Sequence, residues 1–318
     1  MDVANTFGQK ARCSYFRGQE AFRGRSSKQS VPVAKAISGK NAPRSQAVLS
    51  VTPSAEINSR PLIGEIMSAA NDASPIQRQP QLLGQTVVVI GGSMGIGLET
   101  ARCARAEGAK LILTARDHDR LQHVGLELGA SVSAFDATDF EQLGKFFDEL
   151  SKPIDHVLVT GPGPYYAPLA EFDFAAARRD LEAHILLPLQ VARNAANKVR
   201  PGGTLLFMGG TGGRRPAPGF ALISALTAAG PAMTKNLALE LAPVRVNLIA
   251  AGFVDTPLSA SLLGDGVEDR RNQLRATLPI HRVVGPADIA ALAVHIMTNT
   301  ALTGATYDID GGQQLVGA

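Results

Sequence analysis

From Gln85 onward the chain alternates short, almost wholly aliphatic runs with longer stretches in which apolar positions recur every three or four residues. The first run, Gln85 to Ile90, contains three consecutive valines and no polar alternation, the pattern of a strand covered on both faces. Gly95 to Glu107 has helical spacing. Lys110 to Thr114 then predicts a second strand, Asp117 to Leu128 a helix, Ser131 to Ala134 a third strand, Asp139 to Leu150 a helix, and Ile154 to Thr160 a fourth strand. Strands separated by helices make a parallel sheet, because right-handed crossovers return each strand in the same direction.

The second half continues the alternation. It predicts a long helix over Asp173 to Val199, a strand at Gly203 to Met208 and a helix from Gly219 to Leu241. A strand at Val244 to Ile249, a loop-rich insertion up to Gly285, a helix from Pro286 to Asn299 and a last strand at Thr306 to Ile309 complete it. Pro188 and Pro231 fall inside predicted helices and should kink or locally break them, since proline removes a backbone donor. Residues 81–318 are therefore expected to form one α/β domain, a Rossmann-type doubly wound parallel sheet of about seven strands with helices on both faces.

Residues 1–80 differ. They are rich in Ser, Ala and Arg, interrupted by Pro32, Pro43, Pro53, Pro61, Pro75 and Pro80, and lack apolar periodicity, which predicts a disordered extension. Before Glu56 the only acids are Asp2 and Glu20, against a run of Arg and Lys, a balance that resembles an organellar transit peptide. A solvated tail is the alternative, as is a start at Met67.

Composition narrows the function classes. A formal charge of +3 over 318 residues, with no basic patch interleaved with aromatics in the folded part, argues against nucleic acid as a partner. Cys13 and Cys103 offer neither a disulfide framework nor metal-ligand spacing, so no metal is expected. No apolar run reaches the roughly 18 residues that span a bilayer. The expectation is a cytoplasmic protein without membrane contact, or an organellar one if the extension is a targeting segment.

The first strand runs directly into Gly91-Gly92-Ser93-Met94-Gly95-Ile96-Gly97 and then a helix. Gly91 permits a tight turn, Gly95 lets backbone approach phosphate oxygens, and Gly97 lets the helix lie close to the sheet, with the helix N-terminus facing the anion. These residues point to the pyrophosphate of a dinucleotide. The second strand ends Thr114-Ala115-Arg116, where a carboxylate for a ribose 2′-hydroxyl is absent and a guanidinium can pair with a 2′-phosphate, so NADP(H) is favoured over NAD. The alternative is that Arg116 is only a solvated residue opening the second helix. Asp136, followed by Ala137 after the third strand, is placed either to accept from an adenine amine or to cap the third helix.

Over residues 82–318 the chain resembles the short-chain dehydrogenase/reductase family. The resemblance is carried by the glycine turn, the Asp136 step, Lys235 to Ala242, Val244-Arg245-Val246-Asn247, Gly252-Phe253-Val254-Asp255-Thr256 and Asp308-Ile309-Asp310-Gly311-Gly312. It implies that Gly161 after the fourth strand lies at the cofactor, that Thr256 contacts the nicotinamide amide, and that Pro257 to Pro286 forms a lid over a small-molecule substrate. It also implies a homo-oligomer through the helices around 173–199 and 219–241.

The same register places the family's catalytic Asn, Ser, Tyr and Lys on His184, Gly210, Ile223 and Thr227. Neither Ile nor Thr supplies the acid that Tyr and Lys provide together; Thr227 retains only a hydroxyl for the nicotinamide ribose. The substitute acids in reach are His184, Tyr165 and Tyr166. Each has a structural alternative, a backbone-bonded helix histidine for the first and packing under the lid for the tyrosines. Two functions follow: an atypical NADP(H)-dependent oxidoreductase acting on a carbonyl or activated alkene with a non-standard proton donor, or an NADP(H)-binding protein without redox chemistry.

Overall fold

The computed structural model describes residues 79–151 and 153–316; the basic extension and Cys13 lie outside the described residues. Seven parallel strands form a single sheet in the order β3-β2-β1-β4-β5-β6-β7. They are β1 (Thr86–Ile90), β2 (Lys110–Ala115), β3 (Ser131–Ala134), β4 (Ile154–Val159), β5 (Val199–Gly210), β6 (Arg245–Ala251) and β7 (Thr306–Ile309). The helices are α1 (Gly95–Ala106), α2 (His118–Leu128), α3 (Phe140–Glu149), α4 (Phe174–Leu181), α5 (Leu187–Ala195), α6 (Ala221–Glu240), α7 (Pro257–Leu263), α8 (Val267–Thr277) and α9 (Pro286–Thr298). The expected Rossmann-type doubly wound sheet is the fold observed. Its order reverses between β1 and β4, and a crevice for ligands opens at the carboxyl ends of those strands.

Period-two alternation of β1 divides the core. Val87 and Val89 point to one face, with Leu111, Leu113, Leu158 and Leu206, where Ala101 and Ala104 of α1 and Ile289 and Ala293 of α9 cover them. Val88 and Ile90 point to the other, with Val157, Leu205 and Phe207, beneath Leu143 and Phe147 of α3 and Leu187 and Val191 of α5. All four β1 side chains are at most 1% exposed, and burial of each contributes about 1.5–3 kcal/mol. The strand lacks a polar face because it has no solvent side.

Several expectations change. The helix predicted over Asp173 to Val199 is divided into α4, a π-helical turn at Glu182–Leu186, and α5. Pro188 sits in the first turn of α5, directly after the π turn. Val199 instead begins β5, which pairs with Ile154 across a register shift. Pro231 leaves α6 unbroken as one 20-residue helix. The insertion before Gly285 is helical, made of α7 and α8 rather than loop. Among the described residues no helix is long and apolar enough to cross a membrane.

His156 of β4 is 1% exposed and its Nε2 lies 2.8 Å from Gln85 Oε1. Burial, followed by the positive charges of Arg245 and Arg200, lowers its pKa from 6.5 to about 3. The unfolded chain therefore takes up a proton that the folded chain refuses. Stability is expected to decline as pH falls below about 6.5 toward about 3, by at most about 1.4 kcal/mol per pH unit from this group. Urea titrations across that range check it, with His156→Gln flattening the slope.

Candidate active site

The glycine turn is held by its neighbours. Gly91 and Gly92 both donate to Thr114 O at 2.9 Å, tying the turn to the end of β2. Thr160, just past β4, donates its hydroxyl to Ile90 O at 2.9 Å. Gly91 has φ +88, and a Cβ there would fall 2.2 Å from Thr160 Oγ1. A Cβ at Gly97 would fall 2.1 Å from Gly91 O, so α1 can approach β1 this closely only with glycine. The result is a backbone cradle in front of a helix whose N-cap, Met94, makes no side-chain cap and whose first turn carries no acid. Ser93 is buried in this turn, Ile96 packs against the sheet core, and Gly95 faces Thr256, 3.7 Å from where its Cβ would stand.

These features fit a dinucleotide pyrophosphate: unused helix N–H groups, the positive end of the dipole, and no side chain filling the space. Arg116 extends from the end of β2, 72% exposed, with Nη1 3.9 Å from Asp136 Oδ2. Asp136 accepts from Thr138 N at 3.0 Å and from its hydroxyl at 2.7 Å. It does not cap the third helix; Asp139 does, accepting from Glu141 N and Gln142 N. Ala137, between them, rests against the core under α3.

Of the four positions that the family resemblance assigns to catalysis, Gly210, Ile223 and Thr227 lie together, and His184 lies beside Gly161. Gly210 ends β5 with Thr227 beside it, 3.7 Å from where a Cβ would lie. Ile223 is buried one turn earlier on α6. Thr227 donates its hydroxyl to Ile223 O at 2.8 Å, so its proton is committed to its own helix. His184 lies on the π turn with its Nε2 3.8 Å from where a Gly161 Cβ would stand.

The two tyrosines part ways. Tyr165 accepts from Asp173 N at 2.8 Å through its phenolic oxygen, which ties it to the start of α4, with its ring edge-on to Phe172. Tyr166 packs on Phe220, ring centroids 5.1 Å apart. Burial, then the charge of Asp180, pushes the Tyr166 phenol above its ordinary range. Leu258 and Leu262 of α7 reach Gly163, within 3.0 and 3.4 Å of its would-be Cβ. Thr256 caps α7 by accepting from Ser259 N. Arg271 of α8 forms a bidentate pair with Asp255, at 3.0 and 2.7 Å, which holds α8 to the segment after β6.

Two features were not read from the sequence. Asp180 is 5% exposed and its Oδ1 lies 3.0 Å from His184 Nδ1. Its signal was present as an acid four residues before a histidine on one helical stretch. The other is an apolar groove of about 390 Å³ between Leu169 and Phe172 on one side and Pro216 to Ala221 on the other, with Ser224 at its wall.

A glycine cradle at the switch point of a doubly wound sheet defines a dinucleotide-binding protein. A family model described as enoyl-(acyl carrier protein) reductase matches residues 91–314. Short-chain dehydrogenase/reductase ATR9 of Stachybotrys chlorohalonatus is 27% identical over 252 residues, which cover 73% of this chain and 98% of the relative. The chain belongs to the short-chain dehydrogenase/reductase family of oxidoreductases. Among solved structures, a dehydrogenase/reductase from Sinorhizobium meliloti 1021 is 30% identical with a TM-score of 0.66, covering 74% of this chain and 96% of that one. BdcA in complex with NADPH is 26% identical with a TM-score of 0.66, covering 73% and 95% respectively.

Proposed function

We propose that this protein is an atypical NADPH-dependent reductase of a carbonyl or activated alkene in a small molecule, with His184 as the proton donor. The observation that carries the reading is the placement of His184. Its Nδ1 is anchored to Asp180 while its Nε2 faces the turn after β4, at the sheet edge where the glycine cradle also lies. Burial works against the imidazolium, but the hydrogen bond and charge of Asp180 and the Pro162 carbonyl outweigh it and raise the His184 pKa. The site thus favours the protonated imidazole more than free solution does, in a chain whose tetrad positions otherwise hold Gly210, Ile223 and Thr227.

The cradle and α1 N-terminus would hold the pyrophosphate, Arg116 the 2′-phosphate, and Thr256 and Gly161 the nicotinamide end. When bound, reduced nicotinamide supplies a hydride. The chain's own residues supply the rest: α7 excludes water through Leu258 and Leu262, and His184 Nε2 gives a proton to the oxygen or carbon that becomes basic as the acceptor is reduced. The apolar groove beside Phe172 and Phe220 supports an acceptor with an uncharged body. Exposed Phe174, Leu181, Leu186 and Leu189 on the α4–α5 face support a homo-oligomer.

Arg116→Ala tests the cofactor assignment. NADPH affinity should fall about tenfold, about 1.4 kcal/mol, with NADH affinity unchanged, as read by nicotinamide fluorescence titration. The reaction itself is tested by the absorbance of reduced nicotinamide in the presence of aldehydes, ketones and enones. Consumption supports the reductase. Tight NADPH binding with no consumption across that panel favours the second reading, a dinucleotide-binding protein without redox chemistry, for which Ile223 and the committed hydroxyl of Thr227 speak.

A further inference from the structure

We infer that Asp180 is the positioning residue of this site: its buried carboxylate fixes the His184 imidazole with Nδ1 inward and Nε2 turned to the reacting face. The inference rests on the reading of His184 as proton donor.

The geometry is specific. Asp180 belongs to the last turn of α4 and His184 to the π turn that follows. The Asp180 side chain is 4% exposed and that of His184 is 19% exposed. His184 Nδ1 lies 3.0 Å from Asp180 Oδ1 and also 3.0 Å from the Asp180 backbone oxygen, so both acceptors lie on the Nδ1 side of the ring. The second carboxylate oxygen accepts from Tyr165 N at 3.3 Å, which ties the segment after β4 to the same residue. A carboxylate held by two donors has little freedom to rotate, and the ring it holds inherits that restriction.

A π turn inserts one residue into a helix and re-aims the side chains within it; such turns are common at functional sites. Here the turn coincides with the one titratable ring among the four family positions. Nδ1 keeps its proton on Asp180 throughout, so Nε2 is the nitrogen that exchanges. The Pro162 carbonyl also favours the protonated imidazole. During reduction the proton passes from Nε2 to the acceptor oxygen, which has gained the electron pair of the former double bond. The imidazole is left neutral, still donating from Nδ1, and regains its Nε2 proton from water.

The ionisable groups around the ring are few. Asp180 comes from its own helical stretch, and Tyr166, within the field of Asp180, comes from the segment after β4. The α6 helix packs on the π turn and has no ionisable residue between Ala221 and Thr234. The α7 helix contributes Leu258 and Leu262 on this side. Among the described residues Asp180, rather than the exposed Glu182 of the same turn, is the negative charge that acts on the imidazolium, and the charge-assisted bond between them is expected to control its titration.

The test follows the His184 ring nitrogens by NMR in the full chain, assigned by the resonance that His184→Gln removes. In the wild type, below the raised pKa of the imidazole, both ring nitrogens should be protonated, with a strongly deshielded Nδ1 proton. Asp180→Asn keeps the size and the acceptor for Tyr165 N while removing the charge. It should lower the His184 pKa by about 1–3 units and move the basic limb of the kcat pH profile by the same amount, leaving NADPH affinity unchanged. Identical titration in wild type and variant overturns the inference, as does a shifted titration with an unmoved pH profile. Should Asp180→Asn fail to fold, the wild-type spectrum decides: a neutral ring protonated on Nε2 alone overturns it, and one protonated on Nδ1 supports it. Full reductase activity of His184→Gln would instead remove the donor reading, an outcome separate from the titration.

Discussion

Replacing Arg245 with methionine is expected to cost about 3–5 kcal/mol of folding stability, the range for leaving buried polar partners unmatched. Arg245 begins β6, is 5% exposed, and makes no carboxylate ion pair among the described residues. Its guanidinium instead donates to five backbone carbonyls: Gly202, Ile296, Met297, Asn299 and Leu302. Four of these lie in the last turn of α9 and the segment after it, where helix carbonyls have no intrahelical donor. One planar fork therefore terminates α9 against the sheet and fastens the turn within β5. Burial, opposed by Tyr307 and aided by Arg200, lowers its pKa, yet the number of carbonyls pointing at it keeps the cation favourable. Methionine fills much of the volume and satisfies none of them. Urea unfolding should show a lower midpoint with an unchanged slope. Arg245→Lys should recover only part of the loss, because three donors on a point charge cannot match a fork that reaches five acceptors.

The parts of the fold that sequence made visible are those in which sterics leave one solution. Val87 to Ile90 is apolar on both faces because both faces are covered, and Gly91 and Gly97 are glycine because Thr160 and the Gly91 carbonyl occupy the space of a Cβ. Where several local solutions are close in energy, periodicity failed. The π turn at Glu182–Leu186 keeps apolar residues in helical rhythm, so nothing in spacing separates it from an unbroken helix. Val199 to Gly203 carries Pro201 and two glycines, which read as a break, but pairing of Val199 with Ile154 draws the segment into β5. The α8 helix was hidden because it is mostly polar and buries only Leu274, leaving no apolar stripe to recognise.

The site divides the same way. Its cofactor half depends on backbone shape, which glycine spacing reports directly. Its catalytic half depends on which atom of a side chain faces which neighbour. Tyr165 and Tyr166 are adjacent in sequence, yet one phenol is bound to the start of α4 and the other ring lies against Phe220. Asp180 gains meaning only once α4 and the π turn bring it to His184 Nδ1.

His184→Gln should lower kcat by about 10²–10⁴, the usual contribution of a positioned general acid, with NADPH affinity retained. Glutamine reaches a similar distance and can still donate to Asp180, so the loss isolates the titrating proton from packing. The sign of the pH dependence follows from the raised pKa of the imidazole. Below that pKa the ring carries both protons and the donor is loaded; as pH rises through it, Nε2 is emptied and the wild-type rate should fall. In the variant that basic limb should vanish, leaving a low rate independent of pH, since holding nicotinamide and acceptor together still contributes to hydride transfer without an acid. Single-turnover oxidation of bound NADPH, followed by its absorbance over pH, separates these cases. A variant with wild-type rate would move the proton source elsewhere. Tyr166 is the next group at the same turn, and its phenol, held above its ordinary range by burial and Asp180, would then give a limb at still higher pH.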